Sequence, residues 1–325
     1  MVIGLVSLAR LVTMDGYLND SLIFRREPLY QGMNGRFVER LYLSPSESYI
    51  FKPVTHFGQE KREVWVYQHI LPHLPKVYPD MLAFSIEEAT SWIMYEDLGH
   101  LTHQHDVDAM LHMMKLIASW HSVPVHIWAE ANLVAPKPKL QEMADSLLMN
   151  KRVYVELLEN LHVPVELLEY SVRELSDILV RWWDVMSHGD LHAGNYAFGN
   201  GNCYVLDWEH AHLNIPMWDL YHVIDMSHPV FPRTSELTNE QRHFLLMEYM
   251  RSRGVSLAPT PSDTSSFIED YYHVAWIFSL WMSGLIQSDL ERGSTLWSRD
   301  QLQRQWQECC STLVSVGGWL TGSRH

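Results

Sequence analysis

The chain has little of what marks a disulfide-stapled, membrane-embedded or nucleic-acid-binding protein. Its 325 residues include only 3 cysteines, two of them adjacent at Cys309 and Cys310. Neither a disulfide framework nor a zinc-ligand spacing follows from that set. Buried thiols in a reducing compartment are expected. No apolar run approaches the roughly 20 residues that a membrane helix needs. The opening segment MVIGLVSLARLV is apolar but short, has no basic leader and carries Arg10. It does not read as a signal peptide, and a cytoplasmic protein is expected. Basic charge is scarce as well: 24 Lys and Arg stand against 39 Asp and Glu, a formal net charge of −15 at pH 7. That balance argues against nucleic acid or an anionic membrane as the main partner and leaves neutral or cationic ligands open. Internal repeats and low-complexity tracts are absent.

What is present is a globular composition, 47% hydrophobic and 19% charged, on a chain long enough for one large domain or two lobes. The 13 Trp and 15 Tyr point to deep apolar surfaces or stacking platforms. From Leu22 to about Val54 the sequence reads as strands (LIF, RFVERLYL, SYIFKPV) separated by the turn formers QGMNG and SPSES. Val64, Tyr67 and Ile70/Leu71 recur at helical spacing, predicting a helix over about Gly58–Leu71 that Pro72 and Pro75 close. Residues 81–95 read as two more strands around a polar turn.

After LGH at 98–100 the pattern becomes helical. Val107, Met110, Leu111, Met114, Ile117 and Ala118 form one apolar face. A polar, proline-containing interval, VAPKPKL, and two further helical segments lead to residue 187, and 239–254, 264–292 and 299–315 are helical again. The expected organisation is α+β: a small lobe with its hinge over 1–97 and a larger, mostly helical lobe over 98–325.

Residues 187–212 read SHGDLHAGNYAFGNGNCYVLDWEHAH. Within them, two short apolar strands flank an Asn-Gly turn, the pattern of a hairpin. A hairpin sets the residue before its first strand beside the residues that end its second. Asn195 and Asp207 therefore come close at one end, with Asp190 on the loop leading in. Oxygen ligands of this kind suit Mg²⁺, and a further carboxylate held nearby can accept a proton from a hydroxyl nucleophile. Asn195 follows Asp190 by five residues, the spacing of the protein-kinase catalytic loop, where Asp is the base and Asn a metal ligand.

HGDLHAGN, then LDWE, then IPMWDL, in close order over about 187–220, closely resembles the aminoglycoside phosphotransferase and choline-kinase-like family. The resemblance implies a bilobal protein-kinase-like fold, with a small antiparallel-sheet lobe before a larger helical one. It also implies ATP-dependent phosphoryl transfer to a small-molecule hydroxyl. Lys52 lies in SYIFKPV among apolar neighbours and needs a partner; Glu60 and Glu63 are the candidates, and the family's distance to the LP at 74–75 favours Glu63. By resemblance the crossover strand WIMYEDLG offers the carbonyl of Tyr95 and the N–H of Asp97 to adenine, with Met94 at the back of the pocket. QGMNGRF, with Gly32 and Gly35, stands where a phosphate-covering loop belongs but departs from G-x-G-x-x-G. His188 and Asp219 resemble residues that brace the catalytic loop. His192 either approaches the phosphates or the substrate, or packs inside the loop. His100, His103 and His105 read as surface histidines before a helix.

The implied roles are then as follows. Asp190 orients and deprotonates the acceptor hydroxyl, Asn195 and Asp207 hold Mg²⁺, and Lys52, fixed by Glu63, binds the nucleotide phosphates of ATP, with GTP left open. The region after 225 holds the acceptor candidates Glu269, Asp270 and Trp276; acid and aromatic groups together suit an amino sugar or a quaternary amine. Most Trp and Tyr there, at helical spacing, read as core. An aminoglycoside-type antibiotic and a housekeeping metabolite (choline, an amino alcohol or a sugar) both remain open as acceptors. A nucleotide-binding pseudokinase is a third reading, opposed by the joint presence of Lys52, Asp190, Asn195 and Asp207.

Overall fold

Three successive strands, Arg25–Gln31 (β1), Phe37–Ser44 (β2) and Glu47–Pro53 (β3), lie antiparallel, and Met81–Ser85 (β4) and Trp92–Glu96 (β5) complete a sheet of order β1-β2-β3-β5-β4. The computed structural model describes residues 8–32, 35–54, 60–87, 90–128, 131, 133, 135–233, 235–253, 261–294 and 296–322. Strand alternation sorts side chains between the two faces of this sheet. Trp92 and Met94 join Leu41 and Phe51 in a cluster with Leu8, Leu11 and Val12. On the other face Lys52 stands opposite Ile93, and Ile50 opposite Tyr95. This face meets the helix Glu60–His69 (α1), whose Glu63, Val64, Val66 and Tyr67 are buried.

Two expectations for this region need correction. The first strand begins at Arg25 rather than Leu22, because Asp20–Leu22 form a 3₁₀ turn whose Asn19 side chain accepts from the Ser21 N–H. β1 lies at the sheet edge and pairs Arg26 with Glu39, so it carries charge where an apolar signal was sought. The helix starts at Glu60 and ends at His69; Gly58 lies outside the described residues, and Leu71–His73 is a 3₁₀ turn containing Pro72.

The chain divides into two compact units, Met1–Thr102 with Ala197–Glu209, and His103–Tyr196 with His210–His325. The hairpin Tyr196–Gly199 and Asn202–Val205 turns through Asn200 and Gly201, both left-handed at φ 52 and 77, as a two-residue primed turn requires. Phe198 bridges to Thr102, and the Val205 N–H donates to Val77 at 2.6 Å. The division thus assigns most of the hairpin, with Asp207, to the first unit, whereas a cut at 97/98 does not. Pairing with residues so distant in sequence leaves no local trace.

The second unit contains Val107–His121 (α2), Leu140–Met149 (α3), Lys151–Asn160 (α4), Glu166–Arg181 (α5), Met217–Ile224 (α6), Asn239–Ser252 (α7), Pro261–Arg292 (α8) and Arg299–Gly322 (α9), with a short pairing of Val185–Ser187 and His212–Asn214. Three helices, not two, lie between VAPKPKL and residue 185, because Asn150 leaves helical geometry and divides α3 from α4. α9 runs beyond 315 to Gly322. Its Gly317 has a packing reason: a Cβ there would stand 3.1 Å from Val163 and 3.3 Å from the Trp276 ring nitrogen. α8 supplies the centre of the core, with Phe267, Tyr271, Val274, Trp276, Ile277 and Phe278 all buried, and it packs against α3, α5, α6, α7 and α9. Among the described residues no helix is long and apolar enough to cross a membrane.

One buried ion pair ties four of these helices. Asp225, just after α6, accepts from Arg242 Nε of α7 at 2.9 Å and from the Tyr271 hydroxyl of α8 at 2.6 Å. Arg242 also donates to Ser315 of α9 at 2.9 Å. A buried cation that loses its counterion costs about 3–5 kcal/mol. Asp225→Ala is therefore expected to lower unfolding stability by about that amount, measured by urea unfolding followed through tryptophan fluorescence; a loss below about 1 kcal/mol would contradict this account.

Candidate active site

The site residues of the first unit are set by strand register. Lys52, on the α1-facing side of β3, donates to Glu63 Oε1 at 3.0 Å, Glu63 Oε2 at 2.8 Å and Asp207 Oδ1 at 2.6 Å. Glu63 also accepts from the Tyr95 hydroxyl. Burial alone would lower the Lys52 ammonium, but Asp207, Glu63 and Glu209 outweigh it and hold the pKa well above its ordinary value. Burial pushes the Glu63 carboxyl up to about 7, against the pull of Lys52 and helped by Asp207 and Glu209. The side chain of Glu60, the other candidate partner, lies outside the described residues.

Asp207 adopts a left-handed backbone, φ 61, uncommon for a non-glycine residue and a mark of a position held by its surroundings. Carboxylate oxygens of Glu63, Asp207 and Glu209 all lie within 4.8 Å of one another. Glu209 also interacts with the Arg62 guanidinium, and oxygen-only donors of this kind fit Mg²⁺. Glu209 was missed in the sequence, although LDWE displays it two residues after Asp207.

Met94, expected at the back of a base pocket, is corrected by the same register. It opposes Phe51 and is fully buried in the apolar cluster on the face away from Lys52. A shift of one residue along a strand exchanges faces, so Ile93 and Tyr95 are the strand side chains that share the face with Lys52. The Asp97 carboxylate accepts from Arg40 Nε at 2.7 Å, Ser48 Oγ at 2.6 Å and the Gly99 N–H at 2.9 Å. It fixes the end of β5 to β2 and β3.

In the second unit the loop 188–195 is built around Gly189, whose φ is 92 and whose Cβ would fall 2.1 Å from the His210 carbonyl oxygen. Only glycine fits there. Asp219, wholly buried, accepts from Ser187 Oγ at 2.6 Å, the His188 N–H at 2.9 Å and the Gly189 N–H at 3.3 Å, with His121 Nε2 at 3.2 Å. Burial would raise its pKa, but His121, His188 and Ser187 together hold it far below the ordinary carboxylate range. His188 is buried, and its Nδ1 accepts from the Asp190 N–H at 3.3 Å. The Asn195 amide nitrogen donates to the Asp190 carbonyl at 2.7 Å, which turns its oxygen away as a possible ligand.

The Asp190 carboxylate itself takes an ion pair from Lys137, with His222 Nε2 3.8 Å from Oδ1 and His192 Nε2 3.6 Å from Oδ2. Burial would raise the Asp190 pKa; Lys137, His192 and His222 instead hold it well below its ordinary value. Lys137 was missed because VAPKPKL reads as a connecting interval, and nothing local links it to a residue 53 positions away. Of the histidines before α2, His105 needs correction, whereas His103 is exposed as expected. His105 is buried with Nε2 3.2 Å from the Val223 carbonyl, and His103 Nδ1 lies 3.2 and 2.8 Å from the carbonyls of Ala193 and Tyr196, on either side of Asn195. His103 tethers the loop from about 90 positions away, and the His105 acceptor lies 118 positions on, in α6. His100 is exposed, as expected.

The proposed acceptor group is not brought together as an open surface. Trp276 is fully buried in the α8 core, and Asp270 is buried and bonded to Arg181 at 2.7 Å and to Trp182 Nε1 at 2.7 Å. Glu269 is exposed. The reading of the α8 aromatics as core is the one that fits.

A sheet with a carboxylate-held lysine and a helical unit with a braced HGD loop define a protein-kinase-like phosphotransferase class. The sequence profile of the Phosphotransferase enzyme family (APH) matches residues 62–255, more than half of the chain. The chain belongs to that family. No curated protein matches it significantly. Among solved structures it is similar to a Plasmodium vivax ethanolamine kinase (12% identity, TM-score 0.58, covering 88% of this chain and 82% of that one). A choline kinase from Cryptosporidium parvum is similar at 12% identity and TM-score 0.57, over 98% of both chains. APH(2″)-IIia, solved with GDP and kanamycin, is similar at 12% identity and TM-score 0.56, over 89% of this chain and 93% of that one. At these identities the likeness shows the fold.

His222 makes the second unit acid-sensitive. Its Nδ1–H donates to the Trp218 carbonyl at 2.7 Å, and burial pushes its pKa down to about 3, with Lys137 adding to the fall and Asp190 opposing it. A lowered folded-state pKa means that the unfolded chain binds the proton first. Stability is therefore full above about pH 6.5 and is lost as pH falls toward about 3, by up to about 1.4 kcal/mol per pH unit. His222→Asn, which can keep the donor to Trp218, is expected to flatten the fall in urea-unfolding stability between pH 7 and pH 5. Equal slopes in both proteins would contradict the assignment.

Proposed function

We propose that this protein moves the γ-phosphoryl group of ATP to a hydroxyl of a small molecule. The observation that carries this reading is Lys52 donating at once to Glu63 and Asp207, the charge arrangement that phosphoryl transfer uses beside a metal-bound nucleotide. In this reading Lys52, fixed by Glu63, binds the nucleotide phosphates, and the backbone of Tyr95–Asp97 offers groups to the base. Asp207 and Asn195 hold Mg²⁺, with Glu209 adding an oxygen donor. The ion would neutralise phosphate charge when bound. Asp190 positions the acceptor hydroxyl and takes its proton, while His188 and Asp219 keep the loop in place and His192 stands near the reacting groups. The kinase names of the similar structures support a hydroxylated acceptor, and the GDP complex among them keeps GTP open beside ATP.

Catalysis here rests on positioning and charge, so loss of the base should act on turnover more than on nucleotide binding. Asp190→Ala is expected to reduce ADP formation with a panel of hydroxylated acceptors by about 10²–10⁴-fold while leaving Mg²⁺–ATP binding, measured by calorimetry, nearly unchanged. Lys52→Met is expected to weaken that binding. Nucleotide binding without turnover of any acceptor, and no effect of Asp190→Ala, would replace the enzyme by a nucleotide-binding module.

A further inference from the structure

Asp190, the base in the function proposed above, is not a bare anion. Lys137 places its ammonium on Oδ1, and the two side chains are only 16% and 23% exposed. Imidazole rings also stand close to it within the second unit. His192 and His222 face the two carboxylate oxygens at 3.6 and 3.8 Å, and His192 stacks on His228 with ring centroids 4.1 Å apart. Phe231 extends that stack, 5.8 Å from His192 and 5.4 Å from His228. The rings of His192 and His228 turn one face each to one another.

A carboxylate whose charge is already matched gains little from a second ammonium, and the first one repels it at short range. Other carboxylates of this unit are matched too: Asp270 by Arg181, and Asp225 by Arg242. The wholly buried His222 contributes a different demand. Its Nδ1–H is used by Trp218, and its Nε2, toward Asp190, has no hydrogen-bond partner among the described residues. A lone-pair acceptor beside the base calls for a donor. An ammonium or a hydroxyl could serve, and Lys137 selects the neutral one.

We propose that the acceptor is an uncharged polyhydroxylated molecule of the sugar or polyol class, rather than an amino sugar or a quaternary amine, and that Lys137 sets this preference. The inference rests on the phosphotransferase reading and goes beyond it by naming the acceptor's charge. It makes Lys137 a determinant of specificity as well as a partner of the base. Its removal should change the ratio between acceptors and not only the overall rate, which a merely structural role would not do.

The test uses the full chain with Mg²⁺–ATP and matched acceptor pairs: glucose with glucosamine, and glycerol with ethanolamine and choline. Both ADP and phosphorylated acceptor are quantified, and Asp190→Ala serves as the background. For the best-used pair, kcat/KM for the neutral member should exceed that of the cationic member by at least about tenfold, equivalent to about 1.4 kcal/mol. Lys137→Met should shrink or reverse that ratio, and Lys137→Arg should keep it. If Lys137→Met fails to fold by circular dichroism, Lys137→Gln takes its place and the wild-type ratio still decides. A wild-type preference for cationic members overturns the inference and leaves the phosphotransferase reading standing. An unchanged ratio in both Lys137→Met and Lys137→Gln overturns the role of Lys137. Absence of product from every acceptor of either charge overturns both the inference and the reading on which it rests.

Discussion

One ammonium holds together the acids of the first unit. Glu63 from α1, Asp207 after the hairpin, and Glu209 two residues later bring carboxylates within 4.8 Å of one another, and like charges at that distance cannot all stay ionised in a buried space without a cation. Lys52 supplies it, donating to Glu63 and Asp207. The first unit is arranged to place that ammonium. Register sets Lys52 opposite Ile93, and the Tyr95 hydroxyl two residues along the same face bonds Glu63. The left-handed backbone at Asp207 completes the set. Arg62 adds a second cation beside Glu209, and the three carboxylates together form an oxygen-donor set that a divalent cation fits.

The second unit follows the same rule with different residues. Asp190 is held by Lys137, which comes from the segment between α2 and α3. The backbone beneath Asp190 is held by Asp219, at the start of α6, which collects donors from Ser187, His188, Gly189 and His121. Asp219 can remain ionised while wholly buried because these donors outweigh the cost of its burial. Each of the two reactive-type aspartates is thus secured by a lysine distant in sequence, and each lysine lies on or beside an element that packs within its own unit.

This explains what was legible in the sequence. Asp190, Asn195 and Asp207 stood out because a loop and an Asn-Gly hairpin concentrate them in one stretch, where spacing is itself geometry. Lys52 and Glu63 were legible because a strand and the next helix are neighbours in chain order. Lys137 was not, since a lysine among prolines carries no periodic signal and its partner is 53 positions away. The burial of His105 and the partners of His103 were illegible for the same reason: their acceptors lie at Val223, and at Ala193 and Tyr196. Met94 failed differently, through a one-residue error of strand phase, which exchanges the faces of a sheet. Asp270 and Trp276 looked like binding groups because acid and aromatic residues adjoin in α8. The helix in fact turns both inward, one to Arg181 and Trp182 and the other to the core.

Under the proposed function, the two lysine–aspartate pairs let an acidic chain hold an anionic nucleotide. A net charge of −15 would repel polyphosphate if it were unopposed at the site, and the cations paired with Asp207 and Asp190 reduce that repulsion. Within a low-dielectric interior, local pairing decides the field that a ligand meets, because charges beyond a Debye length of about 8 Å are screened where water reaches them. The oxygen-donor set of the first unit fits a hard cation. In the second unit Asp190 is already paired with Lys137, so under the proposed function the acceptor would meet a compensated carboxylate. The same constraint, burying acids only with their cations, shapes both units.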